Sequence, residues 1–588
     1  MADVAVHVED TESIIECPSN PSLTTTQSEG LLECVSSATI RCHSSYYLGS
    51  SDPQAFRLFS ADRERASLTR HHPHVCLAMV GLPGRGKSFI ARKVEVFMKW
   101  KAGHEVVKLF NVGKYRRTNV EAQESGKAAF FDPSNANAVA AREQAAKEAM
   151  AEMLRFFETG GEVGILDATN STKERRDWIV RECHAKNVAV VFIESICDDP
   201  EVLHENFLNK VRHSPDFRGM TQFEAMADLM DRIQNYERVY ETINDDSTTY
   251  IKLFNLQSKV MCNKAYGSFT KSLLPYLTAV HIAPRPIWLV RAGLPAGQHE
   301  DDVEERHNPC AENKIAPLSD EGVQFAVALA EFVGTRSRKY MDQIKSANPH
   351  HFNDCAPQND REHVHRVSRS DGQVDDGAIC KVMCSTLPRS LATCEHLQDI
   401  ADTEVYAALN PLDKGVFDGM RLKDIEQKSP KFHQMFEADR VNVRFPGGES
   451  IGDLVGRLES LLIEAEQQTA PVLICSHVST SQVLYAYFCQ VPINEACYIP
   501  IDPYVVHQFR PLMGGTWDHK RFQLDSSGLR PELIPVSSSI RRGQASPKSP
   551  SVQSLQKGLS RIESSTGLSR IESGTGFSRL TSSESSPS

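Results

Sequence analysis

The sequence predicts an α/β protein with two successive sheet domains, and three features carry that expectation. Short apolar strands alternate with helical patterns from about residue 73. The run Gly81-Leu82-Pro83-Gly84-Arg85-Gly86-Lys87-Ser88 sits between one such strand and one such helix. A proline-punctuated break at 282–286 (IAPRP) is followed by a second strand-and-helix pattern. Alternation of this kind builds parallel, doubly wound sheets, and ligands on such sheets lie at the carboxyl ends of the strands.

Taken in order, residues 74–80 (HVCLAMV) form an unbroken apolar run, as a buried parallel strand should. Apolar residues at helical spacing follow over 89–100. A second strand is expected at 105–111 (EVVKLFN) and a long helix at 136–158. A third strand spans 163–167, a helix 173–186, and a fourth strand 188–194 (VAVVFIE). The strand ends that matter are therefore 81–88, 111–117, 167–172 and 195–199. After the break, residues 287–290 (IWLV) start the second domain, with a helix at 320–335 and a strand at 470–475. The polar stretch 336–378 between them is long for a loop and reads as an insertion. The expected division is a disordered extension over 1–72, domains over 73–284 and 285–536, and a disordered tail over 537–588. That tail repeats GLSRIESST, GLSRIESGT and GFSRL every nine residues from Gly558. It offers phosphorylation sites for protein kinases at Ser564, Ser573, Ser546 and Ser549.

Composition narrows the function classes. Lys and Arg total 65 against 76 Asp and Glu, a net charge of -11. This mild acidity argues against a general nucleic-acid or membrane-surface binder. Fifteen cysteines lack paired C-x-x-C spacing and read as reduced thiols. The acidic start MADVAVHVED carries no basic-then-apolar leader, and no apolar run reaches the roughly 18–20 residues that span a bilayer. The expectation is a cytoplasmic protein. His350, His351, His363 and His365 cluster in the insertion without tetrahedral ligand spacing and read as solvated.

The chemistry starts at 81–88, which fits G-x-x-x-x-G-K-[ST] in its strand–loop–helix context. Its glycines let the backbone N–H groups wrap phosphates at a helix N-terminus. Lys87 should reach the β- and γ-phosphates and Ser88 should ligate Mg²⁺, so ATP or GTP is the expected ligand. Asp167 ends the VGILD strand, placed either to hold Mg²⁺ or to take the proton of an attacking hydroxyl. Arg116, Arg117, Thr169, Arg175 and Arg176 crowd the same edge, and guanidinium forks suit a sugar phosphate.

GLPGRGKS, FNVGKYRR, DATNSTKERRD, ESICDDPEVL, SPDF and DRIQNYERVY together resemble the kinase half of the 6-phosphofructo-2-kinase/fructose-2,6-bisphosphatase family, in order and spacing, over about 75–285. The resemblance implies transfer of the ATP γ-phosphate to the 2-hydroxyl of fructose 6-phosphate, and with it a role in regulating glycolysis. It implies an ATP site of Gly81 to Ser88 with Asn206. It also implies a sugar-phosphate site of Arg116, Arg142, Thr169, Arg175, Arg232 and Tyr236. Asp167 and Cys197 fall at the family's active-site positions. Cys197 is either structural or close to substrate, because phosphoryl transfer needs no thiol. Equal spacing puts Val211 where the family has a lysine before Ser-Pro-Asp, flanked by Lys210 and Arg212. The family further implies a homodimer.

The second half resembles that family's bisphosphatase, a histidine phosphatase related to phosphoglycerate mutases. PRPIWLVRAG stands where the family's strand ends in Arg-His-Gly, so Ala292 replaces the nucleophilic histidine. In LNPLDKG the position of the catalytic glutamate is Pro411. Arg291, Arg389, Arg444 and His477 persist. They leave two readings, a cationic pocket that binds phosphate without cleaving it, or a decayed domain kept for packing. The overall expectation is a kinase without bisphosphatase activity, with a nucleotide- or bisphosphate-binding pseudoenzyme as the alternative.

Overall fold

In a computed structural model, the described residues are 74–119, 127–255, 259–265, 268–281, 284–296, 317–347, 378–512, 514–524 and 532–534. The expectations for 1–72, for the tail and for the four clustered histidines lie outside them.

The first sheet has the order β2-β3-β1-β4-β5-β6. Its strands are β1 (Val75–Val80), β2 (Val107–Asn111), β3 (Val163–Asp167), β4 (Ala189–Ile196), β5 (Tyr250–Phe254) and β6 (Lys259–Asn263). All pairs are parallel except β5 with β6. Every residue of β1 is buried, which is why its apolar run is continuous and why it lies centrally. The chain runs from β1 out to β2, back to β3, and then across β1 to β4. This reversal opens the crevice that ligands use on such sheets.

Among the described residues, seven helices belong to this half: α1 (Lys87–Ala102), α2 (Val112–Asn119), α3 (Ala136–Glu158), α4 (Lys173–His184), α5 (Pro200–His213), α6 (Gln222–Glu237) and α7 (Ser268–Ala279). Local signals set their ends. Asn135 and Thr172 accept hydrogen bonds from the first turns of α3 and α4, and Thr221 with Glu224 closes a capping box on α6. Strands β5 and β6 were not expected from the sequence.

The second sheet runs β13-β12-β11-β7-β10-β8-β9. Four strands are parallel neighbours: β7 (Ile287–Arg291), β8 (Cys380–Ser385), β9 (Ala401–Tyr406) and β10 (Val472–Ser476). β11 (Val505–Pro511), β12 (Trp517–Gln523) and β13 (Glu532–Ile534) add an antiparallel edge. Helices α8 (Asp320–Ala347), α9 (Pro388–Cys394), α10 (Leu422–Lys428), α11 (Pro430–Ala438), α12 (Ile451–Gln467) and α13 (Val478–Cys489) flank it. The helix expected over 320–335 thus continues twelve residues into the supposed insertion, because Tyr340 remains buried against the domain. The two sheets share one apolar core, in which Phe97 and Trp100 of α1 meet Leu461, Leu462 and Tyr487.

Candidate active site

The phosphate-binding loop leaves β1 at Gly81 and enters α1 at Lys87. Gly81 sits at φ 136°, where an added Cβ would lie 2.5 Å from the Ser195 carbonyl oxygen, so this turn requires glycine. Gly81 donates its N–H to the Thr169 carbonyl at 3.0 Å, and Lys87 Nζ donates to the Leu82 carbonyl at 2.6 Å. Ser195 Oγ donates to the Arg85 carbonyl. The loop is therefore stitched to both neighbouring strand ends.

An open cleft of about 190 Å³ lies over the loop, lined by Gly84, Gly86, Lys87, Ser88, Asn206 and Lys210 among others. Ser88 is exposed to it. The Asn206 side-chain nitrogen is buried there with no hydrogen-bond partner, as a group awaiting a polar ligand would be. Gly514, from the turn between β11 and β12 of the second sheet, completes the lining. No sequence signal pointed to that contribution.

Asp167 ends β3 buried, and Asn111 Nδ2 at the end of β2 donates to its Oδ2 at 2.6 Å. Asn111 is itself held, since its Oδ1 accepts the Lys114 N–H at 3.0 Å. The ammonium groups of Lys87 and Lys210 both feel this carboxylate, and Lys210 feels Asp216 as well. Burial and the nearby Lys210 charge push Lys87 down to about 7, while Asp167 draws it up. Burial also lowers Lys210, with Asp167 acting in the opposite direction. Lys210 thus points into the site, whereas Val211 packs with Phe217, Ala225, Leu229 and Ile233. Lys210, one residue before the position where equal spacing puts the family's lysine, is thus the neighbour that lines the cleft.

Beyond Asp167 lies an arginine nest organised by Asp216 of the Ser-Pro-Asp motif. Arg116 donates to both of its oxygens at 2.8 and 2.6 Å, Arg232 at 2.9 Å and Arg117 at 3.2 Å. These charges outweigh burial and hold the Asp216 carboxyl at about 2. Arg116 and Arg232 both stack on Phe131, with Arg142 and Tyr236 beside the same ring. Arg175 stacks on Trp178, and burial lowers it from the ordinary arginine value, with the nearby Arg142 charge acting in the same direction. The structure thereby gathers Arg116, Arg142, Arg232 and Tyr236, with Arg175 at their margin. Cys197 is buried near Arg85, and burial pushes its thiol up, so it stays protonated.

In the second sheet, Arg291, Arg389 and His477 are all buried near the strand ends. Ser385 Oγ and His477 Nε2 are 2.7 Å apart. Ala292 donates its N–H to Ser476 at 2.7 Å and fills its place with a methyl group. Arg444 does not join them: its side chain is 64% exposed and pairs with Asp453 at 2.5 Å. Beside the Pro411 loop, the cavity lined by Leu412, Leu422, Phe436, Phe445, Ile451 and Val483 holds only about 30 Å³, room for about one water.

A sequence model of 6-phosphofructo-2-kinase matches residues 63–284, and one of the histidine phosphatase superfamily (branch 1) matches 361–524. The 6-phosphofructo-2-kinase/fructose-2,6-bisphosphatase of Caenorhabditis elegans is 33% identical over 443 residues, covering 74% of this chain and 86% of that protein. The protein of the same name from Arabidopsis thaliana is 32% identical over 456 residues, 77% of this chain and 54% of its own. A Saccharomyces cerevisiae fructose-2,6-bisphosphatase is 32% identical over 449 residues, 75% and 87% of the two chains.

Proposed function

The chain belongs to the 6-phosphofructo-2-kinase/fructose-2,6-bisphosphatase family, and on that premise we propose that it transfers the ATP γ-phosphate to the 2-hydroxyl of fructose 6-phosphate and has lost the reverse hydrolysis. The observation that supports this reading is the cleft over the 81–88 loop, where Lys87 and Lys210 line one space with Ser88 and the unpartnered Asn206 side-chain nitrogen. Two ammonium groups lining one cleft repel each other when it is empty and are favourable around a polyphosphate.

The roles follow from position. The 81–88 backbone and Lys87 would bind the β- and γ-phosphates, with Asn206 on the nucleotide. The arginine nest and Tyr236 would seat the 6-phosphate and sugar hydroxyls. The 2-hydroxyl oxygen attacks the γ-phosphorus, the bond from that phosphorus to the β-bridging oxygen breaks, and ADP leaves. The hydroxyl proton passes to Asp167, whose free orientation Asn111 restricts. Lys87 and Lys210 balance the charge that spreads over the transferred oxygens. Ser88 and Asp167 suit magnesium, which neutralises phosphate charge when bound. No group of three or more His, Cys, Asp or Glu converges as a metal site among the described residues, and a magnesium shared with phosphate oxygens and water needs none.

Loss of hydrolysis rests on chemistry. Ala292 offers no nucleophilic atom and Pro411 no proton.

The test is a product assay with Mg·ATP and fructose 6-phosphate, run beside Lys87→Ala. Fructose 2,6-bisphosphate should form, disappear in the variant, and persist when added to the wild-type protein. Binding of nucleotide without any product would refute the kinase reading in favour of a sensor.

A further inference from the structure

The helix that begins at the phosphate-binding loop is held from behind by the phosphatase-like half, through charge as well as apolar packing. Lys93 Nζ lies 2.9 Å from Glu466 Oε1, and both side chains are 1% exposed. Lys93 also stands 4.1 Å over the Trp517 ring. Tyr487 donates its hydroxyl to Glu466, and Tyr276 and Tyr487 hydroxyls are 2.9 Å apart. Tyr276 in turn donates to the Lys93 carbonyl at 3.1 Å, so the backbone of α1 is gripped as well. Arg285, at the junction of the halves, donates to the carbonyls of Ala465 and Glu466 at 2.8 and 2.7 Å.

The contact runs the length of α1. Near its start, the Gly515 turn approaches Arg92 and the Phe89 carbonyl closely enough that an added Cβ would lie 3.0–3.1 Å from them. At its far end, Trp100 Nε1 donates to the Val483 carbonyl at 2.9 Å, and Lys101 pairs with Glu459 at 2.6 Å. A buried ion pair adds little net stability over apolar packing of equal volume. Its distinctive property is that it fixes register, since a small slide of one element leaves two buried charges unmatched.

We propose that Glu466 is a positioning residue for the phosphate-binding loop. By holding Lys93, six residues beyond Lys87, it sets where α1 presents Lys87 and Ser88, and the phosphatase-like half serves nucleotide binding as a fixed support. This rests on the nucleotide-site reading above.

The experiment compares wild type, Glu466→Gln and the apolar pair Lys93→Met/Glu466→Leu by thermal melting, Mg·ATP titration and steady-state kinetics. Glu466→Gln should melt lower, because it leaves Lys93 buried without a counter-charge. The apolar pair should recover part of that loss, though not all because buried Arg285 also loses the Glu466 carboxylate 3.8 Å away, and it should bind Mg·ATP about tenfold more weakly. Its KM for ATP should rise in step and kcat should fall, because Lys87 also acts on the transferred oxygens, with the KM for fructose 6-phosphate unchanged. A folded pair variant with wild-type affinity for Mg·ATP would overturn the proposal, because the network would then be packing alone. Should the pair variant not fold, hydrogen exchange on the wild-type chain decides. Mg·ATP should slow exchange around 460–467 and 483–490 as well as in α1, and protection confined to the cleft would overturn the proposal. A wild-type chain that binds no Mg·ATP would refute the nucleotide reading itself, and the positioning role with it.

Discussion

Val211 packs between α5 and α6 against Phe217, Ala225, Leu229 and Ile233, while its neighbour Lys210 turns toward Asp167. A Val211→Lys exchange places the family's lysine at its expected sequence position but inside this apolar cluster. Val211 is 8% exposed, so a lysine there loses roughly 2 kcal/mol of buried apolar contact. Keeping its charge costs about 4 kcal/mol more, if burial shifts a lysine by about three pKa units at about 1.4 kcal/mol each. Snorkelling of the long stem recovers part of this, leaving a net loss of about 3–5 kcal/mol. In a domain of this size that corresponds to a fall in melting temperature of roughly 10 °C. The exchange should not raise kcat, because Lys210 already supplies the charge. Lys210→Met, by contrast, should keep the melting temperature and lower kcat by about 10²–10³, the usual effect of losing one donor to a developing charge. Differential scanning fluorimetry and the product assay measure both. A Val211→Lys protein that melts like wild type and turns over faster, beside an undiminished Lys210→Met, would refute this reasoning.

Three further outcomes follow from the same geometry. Lys87, at about 7 in the ligand-free protein, is largely neutral at pH 8, whereas bound phosphates hold it charged. Each Mg·ATP should therefore take up close to one proton at pH 8, and affinity should fall as pH rises above 7. Calorimetry in buffers of different ionisation enthalpy reads this directly, and zero uptake at pH 8 would count against the site. Gly81→Ala forces a Cβ against the Ser195 carbonyl at a φ that L-residues rarely adopt, a strain of about 1–3 kcal/mol. It should weaken nucleotide binding at least tenfold in a titration, and wild-type affinity would show that the turn is less constrained than it looks. Ala292→His should release no phosphate from fructose 2,6-bisphosphate in a phosphate-release assay, because Pro411 still lacks a proton for the leaving alcohol. Turnover by that single variant would mean that another group donates.

What the sequence revealed and what it hid divide along a physical line. The loop at 81–88 was legible because its backbone path admits only glycine at set positions, and Gly81 shows why: a side chain there would collide with Ser195. Strands β1, β3 and most of β4 were legible because parallel strands buried on both faces must be largely apolar, whereas β2 is an edge strand with Lys108 exposed. Strand β6 escaped because KVMCN mixes polar and apolar residues at the sheet's exposed edge, and β5 because YIKLF, though buried, carries Lys252, which is paired with Glu194 at 3.2 Å. Arg444 carried a recognisable motif but no direction, and the fold turns it outward onto Asp453. Gly514 reaches the nucleotide cleft from more than 400 residues beyond the loop, so no local pattern could have announced it.

Lys210 is the most instructive case. Counting residues back from Ser-Pro-Asp treats the helix as a ruler, yet adjacent residues on a helix differ by about 100° in direction. Which of two neighbours enters the site is decided by which of them the core accepts. Here α6 offers Ala225, Leu229 and Ile233, a surface that takes a valine and rejects an ammonium group. Burying Val211 sets the rotation of α5, and the hydrophobic term of roughly 2 kcal/mol for one valine thereby aims the Lys210 ammonium group at the cleft. The same rule applies to α1, where Lys93 is buried only because Glu466 meets it. Site residues in this chain are placed as much by what their neighbours pack against as by the motifs that name them.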